Sequence, residues 1–204
     1  SAVGSLKEAY PPGHFVAVDQ FIDRTFARKK SFFGKGCVAH VSVADPICAR
    51  LSGCAADSAQ AAGAPVSRGG TYLAMEGPQF STKAESALYR QWGCDVIGMT
   101  NMPEAKLARE AELCYATIGM VTDYDCWHPD HGNVDVASVI ATLMDNADKA
   151  RATVRGVIDR LAEGPRTASE QGIETNLDFA IITQPENRDP ARMAKLDAVA
   201  GRVI

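Results

Sequence analysis

Along this chain, short apolar runs alternate with longer stretches in which apolar side chains recur every three or four positions. That alternation predicts an α/β protein with a mixed, largely parallel central sheet flanked by helices. Residues 15–21 (FVAVDQF) read as a strand announced by the turn residues Pro11, Pro12 and Gly13, and residues 37–43 read as another. A helix is predicted over residues 47–63, closed by Gly63 and Pro65. Residues 71–75 form a third strand ending in Glu76-Gly77-Pro78. The next helix opens on Thr82 and Glu85, a pair spaced so that each side chain satisfies an orphan amide, and stops at Gly93. A strand over residues 95–99 leads to a second such pair, Asn101 and Glu104, with Pro103 between them, and that helix leads into a strand over residues 114–121.

Further on, Val136, Val139, Ile140, Leu143, Ala147, Ala150, Val154, Val157, Ile158 and Leu161 fall on one face of a single long helix. After Gly164 the text turns polar and aperiodic. Residues 177–182 (LDFAII) suit a short strand or extended arm, and the last twenty residues a helix or loose tail. The expected organisation is one domain over residues 1–204 with a divergent tail over 165–204.

Composition narrows the chemistry. A net charge of -4 without a basic stripe argues against nucleic-acid binding, yet a helix N-terminus can hold an anion even in an acidic protein. No stretch approaches the ~20 apolar residues of a membrane span, and there is no basic-then-apolar leader. The six cysteines form no CxxC pair and read as small buried hydrophobes of a reducing cytoplasm. His128 and His131 in WHPDHGN have no Cys or Glu at helical spacing, so no metal is expected. The chain opens at Ser1 as though leaving a strand, which suggests a segment upstream.

In open α/β sheets ligands bind at the carboxyl ends of strands. Reading those ends gives Asp19 to Asp23, Glu76 to Phe80, Met99-Thr100-Asn101 and Thr122-Asp123-Tyr124-Asp125. Asp123 and Asp125, at alternate positions of an extended chain, would point to one side. Two carboxylates at one spot repel, which raises one pKa and suits it to donate a proton to a nitrogen heterocycle. The same two residues would equally suit a capped turn in a solvated loop. Phe80 can stack on a flat base and Glu76 can bind sugar hydroxyls, or the segment is a turn with a packed Phe. Met99 reads as core or pocket. Thr100, before a helix N-terminus, is either an anion ligand or a cap. His40, alternating with apolar residues, reads by default as a satisfied core histidine.

Four blocks together resemble a known family. VDQFIDRT at 18–25, EGPQFSTKAES at 76–86, GMTNMPEAKLAREAELCYA at 98–116 and TDYDCW at 122–127 are similar, in text, order and spacing, to the trimeric purine nucleoside phosphorylases, and within them to the branch acting on methylthioadenosine. The resemblance runs from Ser1 to about Ala150 and is weak beyond Gly164. It implies the fold of that family with its first strands missing from this chain, and attack of inorganic phosphate on a nucleoside with inversion. No cofactor is implied; phosphate is the co-substrate.

By the same resemblance, Asp123 and Asp125 would face N7 and the exocyclic amino group of the purine, with Asp123 the proton donor. Phe80 would lie on the ring and Met99 under the ribose, with Ala2 beside the substrate. Thr100 and Ser1 would bind phosphate, and Val136 and Val139 would line the 5′ pocket. His40 would reach that pocket from a neighbouring subunit of a homotrimer. TDYD resembles the aminopurine version of the site. The remaining phosphate ligands of the family would precede Ser1, in an N-terminal piece, and without it the polypeptide is expected to be inactive or unstable.

Overall fold

In the computed structural model, which describes every residue except Asn133, seven strands form one sheet. They are β1 Ala2–Ser5, β2 Phe15–Ala17, β3 Gln20–Asp23, β4 Val66–Arg68, β5 Thr71–Ala74, β6 Val96–Gly98 and β7 Ile118–Asp123, in the order β3-β5-β6-β1-β7-β2-β4. Four neighbouring pairs are parallel, while β1/β6 and β2/β7 are antiparallel, as expected for a mixed, largely parallel sheet. The helices are α1 Ala49–Ala61, α2 Lys83–Gln91, α3 Glu104–Glu110, α4 Val136–Asp145, α5 Ala147–Ala162 and α6 Pro190–Ala200.

The central strands are buried on both sides, which is why β2 and β5 read as runs without alternation. Val3, Val16, Val18, Tyr72, Val96, Val121 and Ala105 of α3 form one cluster; Leu6, Leu73, Tyr89 of α2 and Ile97 form another. The pair at the start of α2 closes as predicted: Thr82 accepts from the Glu85 amide at 3.2 Å, and Glu85 accepts from the Thr82 amide at 2.8 Å. Thr82→Ala should therefore lower stability by about 1 kcal/mol, seen as a lower urea midpoint at unchanged slope. An unmoved midpoint would mean that tertiary contacts alone hold α2.

The second pair closes by half. Glu104 accepts from the Asn101 amide at 2.8 Å, but the Asn101 side chain accepts from the Tyr115 hydroxyl at 2.6 Å, and Asn101 takes a left-handed φ of 68°.

Other expectations change. Residues 15–21 split into β2 and β3. Residues 37–43 make no strand and contribute only bridges, Gly34 with Cys37 and Ala39 with Ile181. The last strand starts at Ile118 rather than 114. The long helix breaks at Asn146, whose side-chain amide donates to the Thr142 carbonyl at 3.0 Å and caps α4 before α5 starts. That apolar face is also largely open on this chain: Val136, Ile140, Val154, Ile158 and Leu161 are exposed. The last twenty residues take the helical alternative, as α6, while residues 177–180 form a turn rather than a strand. Leu177, Ala180, Leu196 and Ala200 bury Phe33 and Cys37 in a separate cluster. All six cysteines are free thiols, and Cys37, Cys48 and Cys94 are buried.

Candidate active site

One cavity of about 240 Å³ opens over the middle of the sheet. Its floor is β1, which runs antiparallel to β6 and parallel to β7, with Gly4 in register with both Ile97 and Asp123. Because of this, the carboxyl ends of β6 and β7 do not share one edge. They face each other along β1, with Ser1 at the β6 end and Gly4 at the β7 end. Three residue rises of ~3.3 Å separate those ends by roughly 10 Å, about the length of a nucleoside.

At the first end stand hydroxyls. Ser1 Oγ and Thr100 Oγ1 are 2.6 Å apart, and Thr100 is the second residue past the end of β6. At the other end stand carboxylates. Asp123 Oδ1 accepts from the Asp125 amide at 2.7 Å and Oδ2 from the Thr122 hydroxyl at 2.7 Å. The Gly4 position must lack a side chain here, since a Cβ would come within 2.9 Å of Asp123 Oδ1. Between the two ends the walls are apolar, from Met75, Ile97, Met99, Phe80, Val134 and Val139.

Asp123 and Asp125 do share the cavity, though not because the chain is extended. Asp123 ends β7, and Asp125 lies in a turn with a left-handed φ of 52°. The turn brings the second carboxylate back to the same wall. Both carboxyls are raised above the usual range. Burial is the main cause for each. For Asp123 the Thr122 hydroxyl and the Asp125 amide pull the other way. For Asp125 the Ser86 hydroxyl opposes the rise, and repulsion from Asp123 adds to it only after that. Charge repulsion, the cause expected from the sequence, is thus secondary to desolvation.

Of the predicted site residues, Ser1, Ala2, Phe80, Met99, Thr100, Asp123, Asp125 and Val139 line the cavity. Val136 does not: it is one turn before Val139 and 61 % exposed. His40 does not either. It is neither a strand residue nor a buried core histidine, but exposed, with its backbone amide donating to the Ala180 carbonyl at 2.8 Å. Glu76, a candidate for sugar hydroxyls, serves a loop instead: it accepts from the amides of Phe26 at 2.7 Å and Ala27 at 3.3 Å and pairs with Arg28 at 3.3 Å. Those contacts, the Phe26 amide foremost, hold its carboxyl below the ordinary value.

The sequence reading missed Arg28. Its guanidinium donates to the carbonyls of Met99 at 2.8 Å, Glu76 at 2.9 Å, Met75 at 3.3 Å and Met102, tying together the ends of β5 and β6 that carry the cavity wall. A lone Arg in a polar loop leaves no periodic signal.

Residues 1–163 match the family model of the phosphorylase superfamily. The chain belongs to that superfamily. The phosphorylase chain is 63% identical over 204 residues to the S-methyl-5′-thioadenosine phosphorylase of Cereibacter sphaeroides, covering 100% of this chain and 70% of that protein. It is 61% identical to the protein of that name from Rhodospirillum rubrum, covering 100% of this chain and 69% of that one. Among solved structures, a methylthioadenosine phosphorylase from an Antarctic soil metagenomic library superposes with a TM-score of 0.87 at 44% identity, over 97% of this chain and 69% of that one. The Schistosoma mansoni methylthioadenosine phosphorylase in complex with adenine superposes with a TM-score of 0.79 at 31% identity, over 86% of this chain and 68% of that one. The tail of the phosphorylase lies beyond the family model yet within the alignments to both bacterial relatives.

Proposed function

We propose that this phosphorylase cleaves 5′-methylthioadenosine with phosphate, giving adenine and 5-methylthioribose-1-phosphate. The observation that carries the reading is the division of one cavity into a hydroxyl end and a carboxylate end, one nucleoside length apart along β1. The relatives' names support the same substrate.

A phosphate oxygen held by Thr100 and Ser1 attacks the anomeric carbon as the bond to the purine N9 breaks. The electron pair of that bond enters the purine ring. A proton from Asp123 reaches N7 and neutralises the departing base. Desolvation favours this, because it keeps Asp123 protonated further up the pH scale than an exposed Asp. Asp125 accepts from the 6-amino group, an arrangement that would set a carboxylate against the lone pairs of a 6-oxo purine. Phe80 covers the ring, Met99 packs beneath the ribose beside Ala2, and the 5′-methylthio group meets Val139 and Val134.

The working unit of this reading is a homotrimer in which His40 reaches a neighbour's 5′ pocket. The exposure of His40 and the uncovered apolar side chains of α4 and α5 support protein-covered surfaces on this chain. The reaction belongs to purine and methionine salvage in the cytoplasm. No cofactor takes part beyond phosphate as co-substrate.

The test is adenine release from 5′-methylthioadenosine, with and without phosphate, using protein from the longest reading frame containing this sequence. Release that requires phosphate is expected. Release without phosphate would mean hydrolysis, and binding without release would mean a nucleoside-binding protein.

A further inference from the structure

Tyr72, on β5, has no solvent exposure and belongs to the cluster around Val16, Val96 and Val121, with its ring edge-on to Phe21 at 5.7 Å. Phenylalanine would fill such a site, so the hydroxyl has to be accounted for by a polar partner. That partner is across β6. The Thr100 amide donates to the Tyr72 hydroxyl oxygen at 3.3 Å, and the two hydroxyl oxygens are 3.3 Å apart. The phenolic oxygen accepts from the amide, and in the contact between the two hydroxyls either one can donate. Thr100 Oγ1 is thus held from inside the protein by Tyr72 and from the cavity end by Ser1 Oγ at 2.6 Å.

The contact exists because β6 ends in glycine. A Cβ at Gly98 would fall on the Tyr72 hydroxyl. The backbone thus has a gap at the one place where a core phenol can reach a cavity residue.

We propose that Tyr72 is a positioning residue for the anion end of the cavity. Through the gap at Gly98 it fixes the rotamer of Thr100, so that the hydroxyl is already in place to meet a phosphate oxygen. The proposal rests on the reading of Thr100 as a phosphate ligand.

Tyr72→Phe removes one oxygen and keeps the packing, so it separates positioning from folding. The expected result is a KM for phosphate raised about five- to tenfold, with the KM for 5′-methylthioadenosine within about twofold, as loss of one orienting hydrogen bond implies. An unchanged phosphate KM in Tyr72→Phe would overturn the assignment. So would a parallel rise in both KM values, which is what general loosening of the core produces. The parent protein run beside the variant separates the two levels. A parent indifferent to phosphate overturns the phosphorolytic reading together with the role of Tyr72, whereas a phosphate-dependent parent with an unaffected variant overturns the role of Tyr72 alone.

Discussion

Asp123→Asn is expected to lower the turnover of 5′-methylthioadenosine by about 10²- to 10⁴-fold, the range that a positioned general acid contributes. The amide keeps the shape of the carboxyl and can still receive the Asp125 amide, so the unfolding midpoint should move little. The pH dependence gives a sharper test than the rate alone. The protonated carboxyl is the donor, so the parent loses activity as pH rises through the raised Asp123 value. The ratio of parent to variant rates should therefore be greatest below that value and shrink above it.

The linkage to stability has a definite sign. A carboxyl whose pKa is raised on folding binds its proton more tightly in the native state. The native state gains stability from it below the ordinary Asp value near 3.9 and loses that gain as pH rises through the raised value. The variant should lack that slope. A turnover ratio near one at every pH would remove Asp123 as the donor and leave the carboxylate pair a binding feature only.

Arg28→Met should be the most damaging substitution for the fold near the site. The guanidinium serves the carbonyls of Met75, Glu76, Met99 and Met102 and pairs with Glu76. Methionine keeps the aliphatic bulk but leaves these acceptors and the Glu76 carboxylate without their donor. A loss of about 3 kcal/mol or more in unfolding free energy is expected from the loss of several hydrogen bonds to a charged group. Arg28→Lys should recover little of it, because an ammonium cannot reproduce the fork that spans two strand ends. Equilibrium urea unfolding decides the matter. A loss under about 1 kcal/mol would show that the strand ends hold their places through the sheet alone.

Much of this molecule is legible in its sequence, for reasons that are local. The burial of β2 and β5 on both faces shows as unbroken apolar runs, and α2 is announced by a Thr82–Glu85 pair whose hydrogen bonds involve only neighbours in the chain. The site segments were legible because each follows directly on a strand, where a core has no use for carboxylates and hydroxyls. Asn146 shows where local reading stops. The apolar period continues through it, but its side chain prefers the Thr142 carbonyl, and one predicted helix becomes two.

Tertiary structure decided what depends on partners distant in sequence. That β1 runs against β6 and with β7 sets the hydroxyls and carboxylates at opposite ends of one floor, and no spacing along the chain encodes strand direction. Burial, rather than mutual repulsion, proved the main force raising Asp123 and Asp125, because desolvation is a property of the surrounding wall. Glu76 went to a loop instead of a ligand because Arg28 and the Phe26 amide reach it first, from about fifty positions earlier. By itself the sequence determined the element types, the two-sided burial of the central strands and the residues with chemistry to offer, since these follow from propensity, period and side-chain type. Only the folded chain determined which of those residues share a cavity, in which order and at what pKa, since direction, distance and desolvation exist only between parts of the chain brought together.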